Sequence, residues 1–412
     1  MFCAMLLRTA ESPKSVSVVV ASVLVVSGAL FARLKRMQKA KCFGGVSERM
    51  QAILEGIPLL STCPCLDLPS SVQLVMFSLQ MIWQDWRFAS QYQIEVETFP
   101  VNLTGTSSDS VPDVVQVTWV EGRKGCTQLQ LPSNAPIVLL TPGLNCYAAN
   151  LPGTSIYNML LEQPWRIGVF EKRGVSQTLL TSPAFHMFGH PSDLHTVIKE
   201  IVGRWPDAPI HLVGMSSGNG ISASYLAFYG NQVPNLSSCI GLIGGEDYNS
   251  AFKPPRGNWL TRLVFDDVLL ESSKQRMVRR NEAVLRTHDA RGYEAAMRAK
   301  TAQEFYEICM QHFSGYADRQ EAESRINAFS GGTNSCMLSF SVPYLIVFTE
   351  DDPIAPGGPS DSWISLASRC NYAAVALFPI GSHLACFENW TLSRWVDRLA
   401  VEWIKSVHAH TM

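Results

Sequence analysis

Five residues near the middle of the chain, Gly214-Met215-Ser216-Ser217-Gly218, set a serine between two glycines in the pattern G-x-S-x-G. The bare pattern is weak; its setting gives it weight. The apolar run PIHLVG at 209–214 leads straight into it, and GISASYLAFYG after it reads as a helix. A tight strand-to-helix turn with small neighbours projects the serine hydroxyl out of the sheet and lets a substrate approach the backbone. A serine hydroxyl is a poor nucleophile at neutral pH. It needs a base to take its proton, and the base needs an anion to orient it.

In a sheet carrying such a turn, the partners are expected beyond the serine in the order acid, then histidine, each at the end of a later strand. Two later apolar runs, PYLIVF at 343–348 and AAVALF at 373–378, each lead into a short polar loop. The second loop, Pro379-Ile380-Gly381-Ser382-His383-Leu384, offers His383 as general base. His190, His195 and His211 fall on a crossover helix or inside a strand and read as structural. The first loop carries Glu350, Asp351 and Asp352. Its Asp352-Pro353-Ile354-Ala355-Pro356 run resembles the acid loop of many α/β-hydrolases, with the carboxylate just before the proline. That resemblance favours Asp352 as the orienting acid, with Glu350 and Asp351 flanking. An oxyanion needs two backbone N–H donors. One is expected from Ser217 and the other from the loop Thr141-Pro142-Gly143-Leu144, with Leu144 the best candidate because Pro142 has no N–H to give.

The elements that must hold these groups are legible as rhythm. From about residue 91, short apolar runs bounded by Gly, Pro and Asn alternate with longer amphipathic stretches, the pattern of βα units around a mostly parallel sheet. The expected strands are YQIEVETF, VVQVTWV, PIVLLT (136–141), RIGVFE (166–171), PIHLVG, CIGLIG (239–244), PYLIVF and AAVALF. The last six are apolar throughout, as in strands covered on both faces. HPSDLHTVIKEIVGRW at 190–205 places Leu194, Val197, Ile198 and Ile201 on one helix face. Between residues 246 and 340 the strand rhythm stops and helical sequence replaces it. An insertion there would cap the sheet edge, either as plain structure or as a lid shaping an acyl pocket.

The chain has 412 residues, 47% hydrophobic and 17% charged, enough for one large α/β domain plus a short extension. Its net charge of −2 gives no reason to expect a nucleic-acid partner. The eleven cysteines are scattered without metal-ligand spacing, so neither a metal nor another cofactor is expected. Ser15 to Ala32 is an uncharged apolar run, followed by Arg33, Lys35, Arg36, Lys39 and Lys41. Eighteen residues at about 1.5 Å each cover about 27 Å, close to a thin bilayer's hydrocarbon thickness. A single membrane-spanning helix is expected there. The basic flank places the large domain in the cytosol, whereas sequons at Asn102, Asn235 and Asn389 would suit a lumen, so topology stays open. The expected organisation is an anchor with its basic flank (1–42), a helical extension (43–90) and a catalytic domain (91–412) with its cap at 246–340.

Arg173-Gly174, Gly189-His190 with Asp193, the Ser216 turn, the Asp351-Asp352-Pro353 loop and Gly381-Ser382-His383-Leu384 together resemble AB hydrolase family 4, over roughly residues 60–405. The resemblance implies an α/β-hydrolase fold, a mostly parallel central sheet flanked by helices, and membrane-anchored lipases or phospholipases as relatives. Three positions depart from the family pattern: Pro142-Gly143 for His-Gly, Gly218-Asn219 for Gly-Gly, and Ser382 for a second glycine before the histidine. The reading that follows is hydrolysis of lipid or medium-chain acyl esters through an acyl enzyme, at an endomembrane such as the endoplasmic reticulum. An acyltransferase using the same triad and a non-enzymatic, membrane-tethered binding protein are the alternatives. Oligomeric state is not legible.

Overall fold

A computed structural model describes residues 35–101, 112–126, 130–151, 154–175, 178–185, 190–244, 259–316, 318–321, 336–356 and 358–410. The apolar run 15–32 lies outside the described residues, as does Asn102. Among the described residues, no helix is long and apolar enough to cross a membrane.

Among the described residues, nine of eleven strands form one sheet in the order β2-β11-β10-β9-β8-β6-β7-β5-β4. Six of them run parallel: β6 (Ile137–Thr141), β7 (Arg166–Glu171), β8 (Ile210–Met215), β9 (Leu236–Leu242), β10 (Tyr344–Thr349) and β11 (Ala373–Phe378). These are the six uniformly apolar runs, and their uniformity has a direct cause. Val138 and Leu140 of β6 pack into one core, Ile137 and Leu139 into the other, so both sides of the pleat are buried. β4 (Tyr92–Val101) and β5 (Asp113–Arg123) extend one edge antiparallel.

Helices cover the two faces. α1 (Glu48–Glu55), α2 (Ser70–Gln91), α3 (Thr154–Leu161) and the C-terminal α9 (Trp395–Ala409) lie on the first core. α4 (Pro191–Arg204) lies on the second through Leu194, Val197, Ile198 and Ile201, the face read from its sequence. His190 caps α4, its Nδ1 accepting from Ser192 N at 3.2 Å. His211 sits inside β8 against Ser238, and burial pushes its imidazole down to about 3, so it stays neutral. Arg173 joins the start of β5 to α4: its guanidinium meets Asp113 at 3.0 Å and Asp193 through two bonds, all three side chains buried.

The region expected as an anchor flank and a helical extension is more woven in than its sequence suggests. Lys35–Gln38 (β1) pairs with Cys63–Leu66 (β3), and Lys41–Gly44 (β2) adds antiparallel to β11 at the sheet edge. Strands of four residues within a basic stretch show no periodicity, and edge pairing asks little of side chains. The cap includes a helical run over 259–279 with π-helical stretches Leu263–Leu269 and Lys274–Arg279. Helices α6 (Glu282–His288), α7 (Ala290–Arg298) and α8 (Ala302–Phe313) follow.

Candidate active site

β8 ends in the turn that carries Ser216. The serine takes φ 51°, ψ −122°, and Ser217 opens the helix α5 (Ser217–Tyr229). Both glycines of the turn are there for space. A Cβ on Gly218 would lie 1.9 Å from Thr141 O, and one on Gly214 would lie 2.7 Å from the Asn219 Cα. The backbone is pinned by Ser216 N donating to Leu242 O at 2.9 Å and Asn219 N donating to Ser216 O at 2.9 Å.

Ser216 Oγ lies 2.9 Å from His383 Nε2, and His383 Nδ1 lies 2.8 Å from Asp352 Oδ2. The three side chains thus form one hydrogen-bonded chain, with the imidazole 8% and the acid 5% exposed. For the line to be satisfied, Nδ1–H donates to Asp352 and Nε2 accepts from the serine, the tautomer a general base needs. Asp352 Oδ1 accepts from Ile354 N at 2.7 Å and Ala355 N at 2.9 Å, which leaves Oδ2 for the histidine.

Each neighbour in these loops has a different task. Asp351 Oδ1 accepts from Gly381 N at 2.9 Å and Ser382 N at 2.8 Å, so it shapes the histidine loop. Glu350 turns outward to Lys41 at 2.7 Å. Ser382 has φ 54°, the left-handed region where glycine is easiest, held by its hydroxyl on Ser70 O and by Thr349 Oγ on Ser382 O, both at 2.8 Å. Asn219 is accommodated by glycines opposite: a Cβ on Gly241 would lie 1.9 Å from Asn219 Oδ1, an atom that also accepts from the Tyr344 hydroxyl. Of seven non-glycine residues with positive φ among the described residues, Asn145, Ser216, Ser382, Leu384 and Cys386 lie in the site loops. Strained backbone of this kind persists where surrounding structure over-determines it, and it clusters at functional sites.

Across the cleft, the loop after β6 brings Gly143 against the serine; a Cβ there would lie 3.3 Å from the Ser216 Cβ. Leu144 follows, and its N–H has no acceptor among the described residues. Ser217 N–H is the first of its helix, one of the donors a helix leaves unsatisfied. The two N–H groups expected to meet an oxyanion therefore flank the serine on separate elements. Leu144 also packs on the apolar cap cluster of Leu180, Phe185, Phe265, Tyr306, Met310 and Phe313, as does Ile354 of the acid loop.

No protein-family model matches the chain. Phospholipase ABHD3 of Homo sapiens is 23% identical over 282 residues, covering 68% of this chain and 66% of the relative. Monoacylglycerol lipase of Saccharomyces cerevisiae is 22% identical over 247 residues, 58% of this chain and 52% of the relative. The chain thus spans just under two thirds of the first and about half of the second. A solved structure of a thermostable carboxyl esterase from Bacillus coagulans is 15% identical, covers 71% of this chain and 92% of that one, and has a TM-score of 0.42. The mostly parallel sheet and the strand–turn–helix that carries Ser216 are those of the α/β-hydrolase fold.

Two polar features of this fold escape a reading by motif. Lys172, just past β7, is buried and donates to the carbonyl oxygens of Pro142 at 3.3 Å and Gly143 at 2.7 Å. Asn145, with φ 57°, donates to Ser273 of the cap, whose hydroxyl lies 2.8 Å from that of Tyr306. Arg276 of the cap reaches Asn145 O at 3.3 Å and Asp85 of α2 at 2.6 Å. The sequence signal for Lys172 was there, in an unusual Glu171-Lys172-Arg173 triplet at the end of an apolar strand.

Proposed function

We propose that the chain is a serine hydrolase of carboxylic esters of lipids or other medium-chain acyl compounds. Ser216 acts as nucleophile, His383 as general base and acid, and Asp352 as the orienting anion. The observation that carries this reading is the unbroken Ser216–His383–Asp352 hydrogen-bond chain on three loops at the carboxyl ends of parallel strands. His383 takes the Ser216 proton as Oγ attacks the acyl carbon. The resulting oxyanion is held by the N–H groups of Leu144 and Ser217. The imidazolium then protonates the leaving alcohol, and water repeats the sequence to release the acid.

A lipid acyl group suits the apolar cap cluster that reaches both Leu144 and Ile354. The names of the relatives, a phospholipase and a monoacylglycerol lipase, point the same way. The run 15–32 then serves as a single-pass anchor that keeps the enzyme at an endomembrane beside its substrate. Extraction of membranes with alkaline carbonate tests the anchor: a protein released to the supernatant refutes it.

For the chemistry, the full chain is treated with a fluorophosphonate probe and assayed on acyl esters of graded length. Labelling and turnover that both vanish in Ser216→Ala support the reading. Equal labelling of the variant, or no turnover of any ester by folded wild type, refutes it. Added ethanol or glycerol tests for acyl transfer, which the same acyl enzyme would support if alcohol outcompetes water.

A further inference from the structure

We propose that Lys172 is a positioning residue for the oxyanion hole, holding the Pro142-Gly143-Leu144 backbone from behind so that its N–H groups face the acyl oxygen. This rests on the hydrolase reading above. The argument begins with where a lysine does not normally go. Lys172 is 1% exposed, and among the described residues no carboxylate forms an ion pair with it. Burying an ammonium without a counter-ion is costly, so a site that retains one has usually put it to use.

Its partners show the use. A trans peptide is planar, with C=O and N–H pointing in opposite directions. The Gly143 oxygen, 2.7 Å from Lys172 Nζ, belongs to the same peptide unit as the Leu144 N–H. The Pro142 oxygen, at 3.3 Å, belongs to the unit that carries the Gly143 N–H. Gripping both oxygens fixes the rotation of both units and aims their N–H groups away from the lysine. A positive charge on the carbonyl side also polarises each amide, which makes its N–H a stronger donor. Gly143 O accepts from Cys146 N at 3.2 Å as well, so the turn keeps a neutral bond if the charge is lost.

Burial pulls the Lys172 ammonium down to about 8, with the Cys146 thiol opposing weakly. Of the groups near it, Glu171 is raised by burial to about 7 and so ionises below the lysine's range. The Cys146 thiol is itself pushed up by burial, and beyond it Arg276 of the cap pairs with Asp85 of α2. Glu171 is buried on hydrogen bonds from Ala148 N, Thr118 and Gln116. Lys172 therefore gives the enzyme an alkaline limit. Turnover falls as pH passes about 8 because the loop loses its charged clamp. Stability moves the other way. The folded chain releases this proton at lower pH than the unfolded chain, so between about 8 and 10.4 stability rises with pH.

The test compares wild type, Lys172→Met and Lys172→Arg in the full-length protein, measuring kcat and KM on one soluble ester from pH 6 to 10 alongside thermal melting. Wild-type kcat should fall through a midpoint near 8 while the melting temperature does not. Lys172→Met should lose about 10- to 100-fold in kcat with KM within about threefold, and should lack the alkaline fall. Lys172→Arg, charged at every pH used, should retain more activity than Met and also lack the fall. Wild-type kcat that stays level to pH 10, or a folded Met variant within about twofold of wild type, overturns the proposal. If the Met variant does not fold, the wild-type profile and the Arg variant decide. Absence of any ester turnover by wild type would instead sink the hydrolase reading.

Discussion

The rim of the sheet and the cap above it are built on different forces. At the rim, position comes from hydrogen bonds: Asp352 is held by two backbone N–H groups, the histidine loop by Asp351, the oxyanion loop by Lys172. In the cap, position comes from packing of side chains such as Phe265, Tyr306, Met310 and Phe313, with the Asn145–Ser273–Tyr306 line and Arg276 among its polar contacts to the rim. Hydrogen bonds fix direction to a fraction of an ångström, whereas apolar packing tolerates swaps of similar volume. Rate and selectivity should therefore respond to different substitutions.

The sharpest break of that contrast is at the rim. Ser216→Ala should lower kcat by about 10⁵-fold or more with little change in melting temperature, read from ester turnover and a thermal scan. Asp352→Asn should cost about 10³- to 10⁴-fold, because the amide would present N–H where His383 Nδ1–H needs an acceptor. An Asn variant with near-normal turnover would mean that another carboxylate orients the histidine. Where the acid loop meets the cap cluster, Ile354→Ala should leave kcat on a short ester within about threefold and shift the preference among chain lengths by about tenfold. A uniform loss at every length would show that cap and rim are not separable. The smallest effect is one of stability. Burial raises Glu171 to about 7, so the folded chain binds its proton more tightly, and the contribution is lost as pH rises from about 4.5 to 7. Glu171→Gln should raise the melting temperature at pH 8 by about 1–3 °C and change little at pH 5.

The sheet and the line of three site residues were legible because each residue follows a wholly apolar strand. A strand buried on both faces is the loudest short signal a sequence carries. The choice of Asp352 over Asp351 rested on a proline and a resemblance, and the structure gives each aspartate its own partners. β1, β2 and β3 were not legible, since four residues at an edge have no period. Lys172 was not legible as a clamp because its role depends on β6 and β7 being neighbours, which rhythm does not state. The Asn145 contact with the cap depends likewise on a fold-level meeting of distant segments.

The N-terminal edge has a practical side. Gln38 inserts its amide between the N–H and C=O of Ile380, at 2.9 Å each, so the strand β1 clasps the backbone three residues before His383. Residues 35–44, just past the basic start of the described chain, are thus part of the fold and not a dispensable tether. Trimming of the N-terminus has a narrow margin: shortening that stops ahead of Lys35 spares the clasp, whereas removing ten residues more would also strip the strand from the sheet edge and slacken the histidine loop.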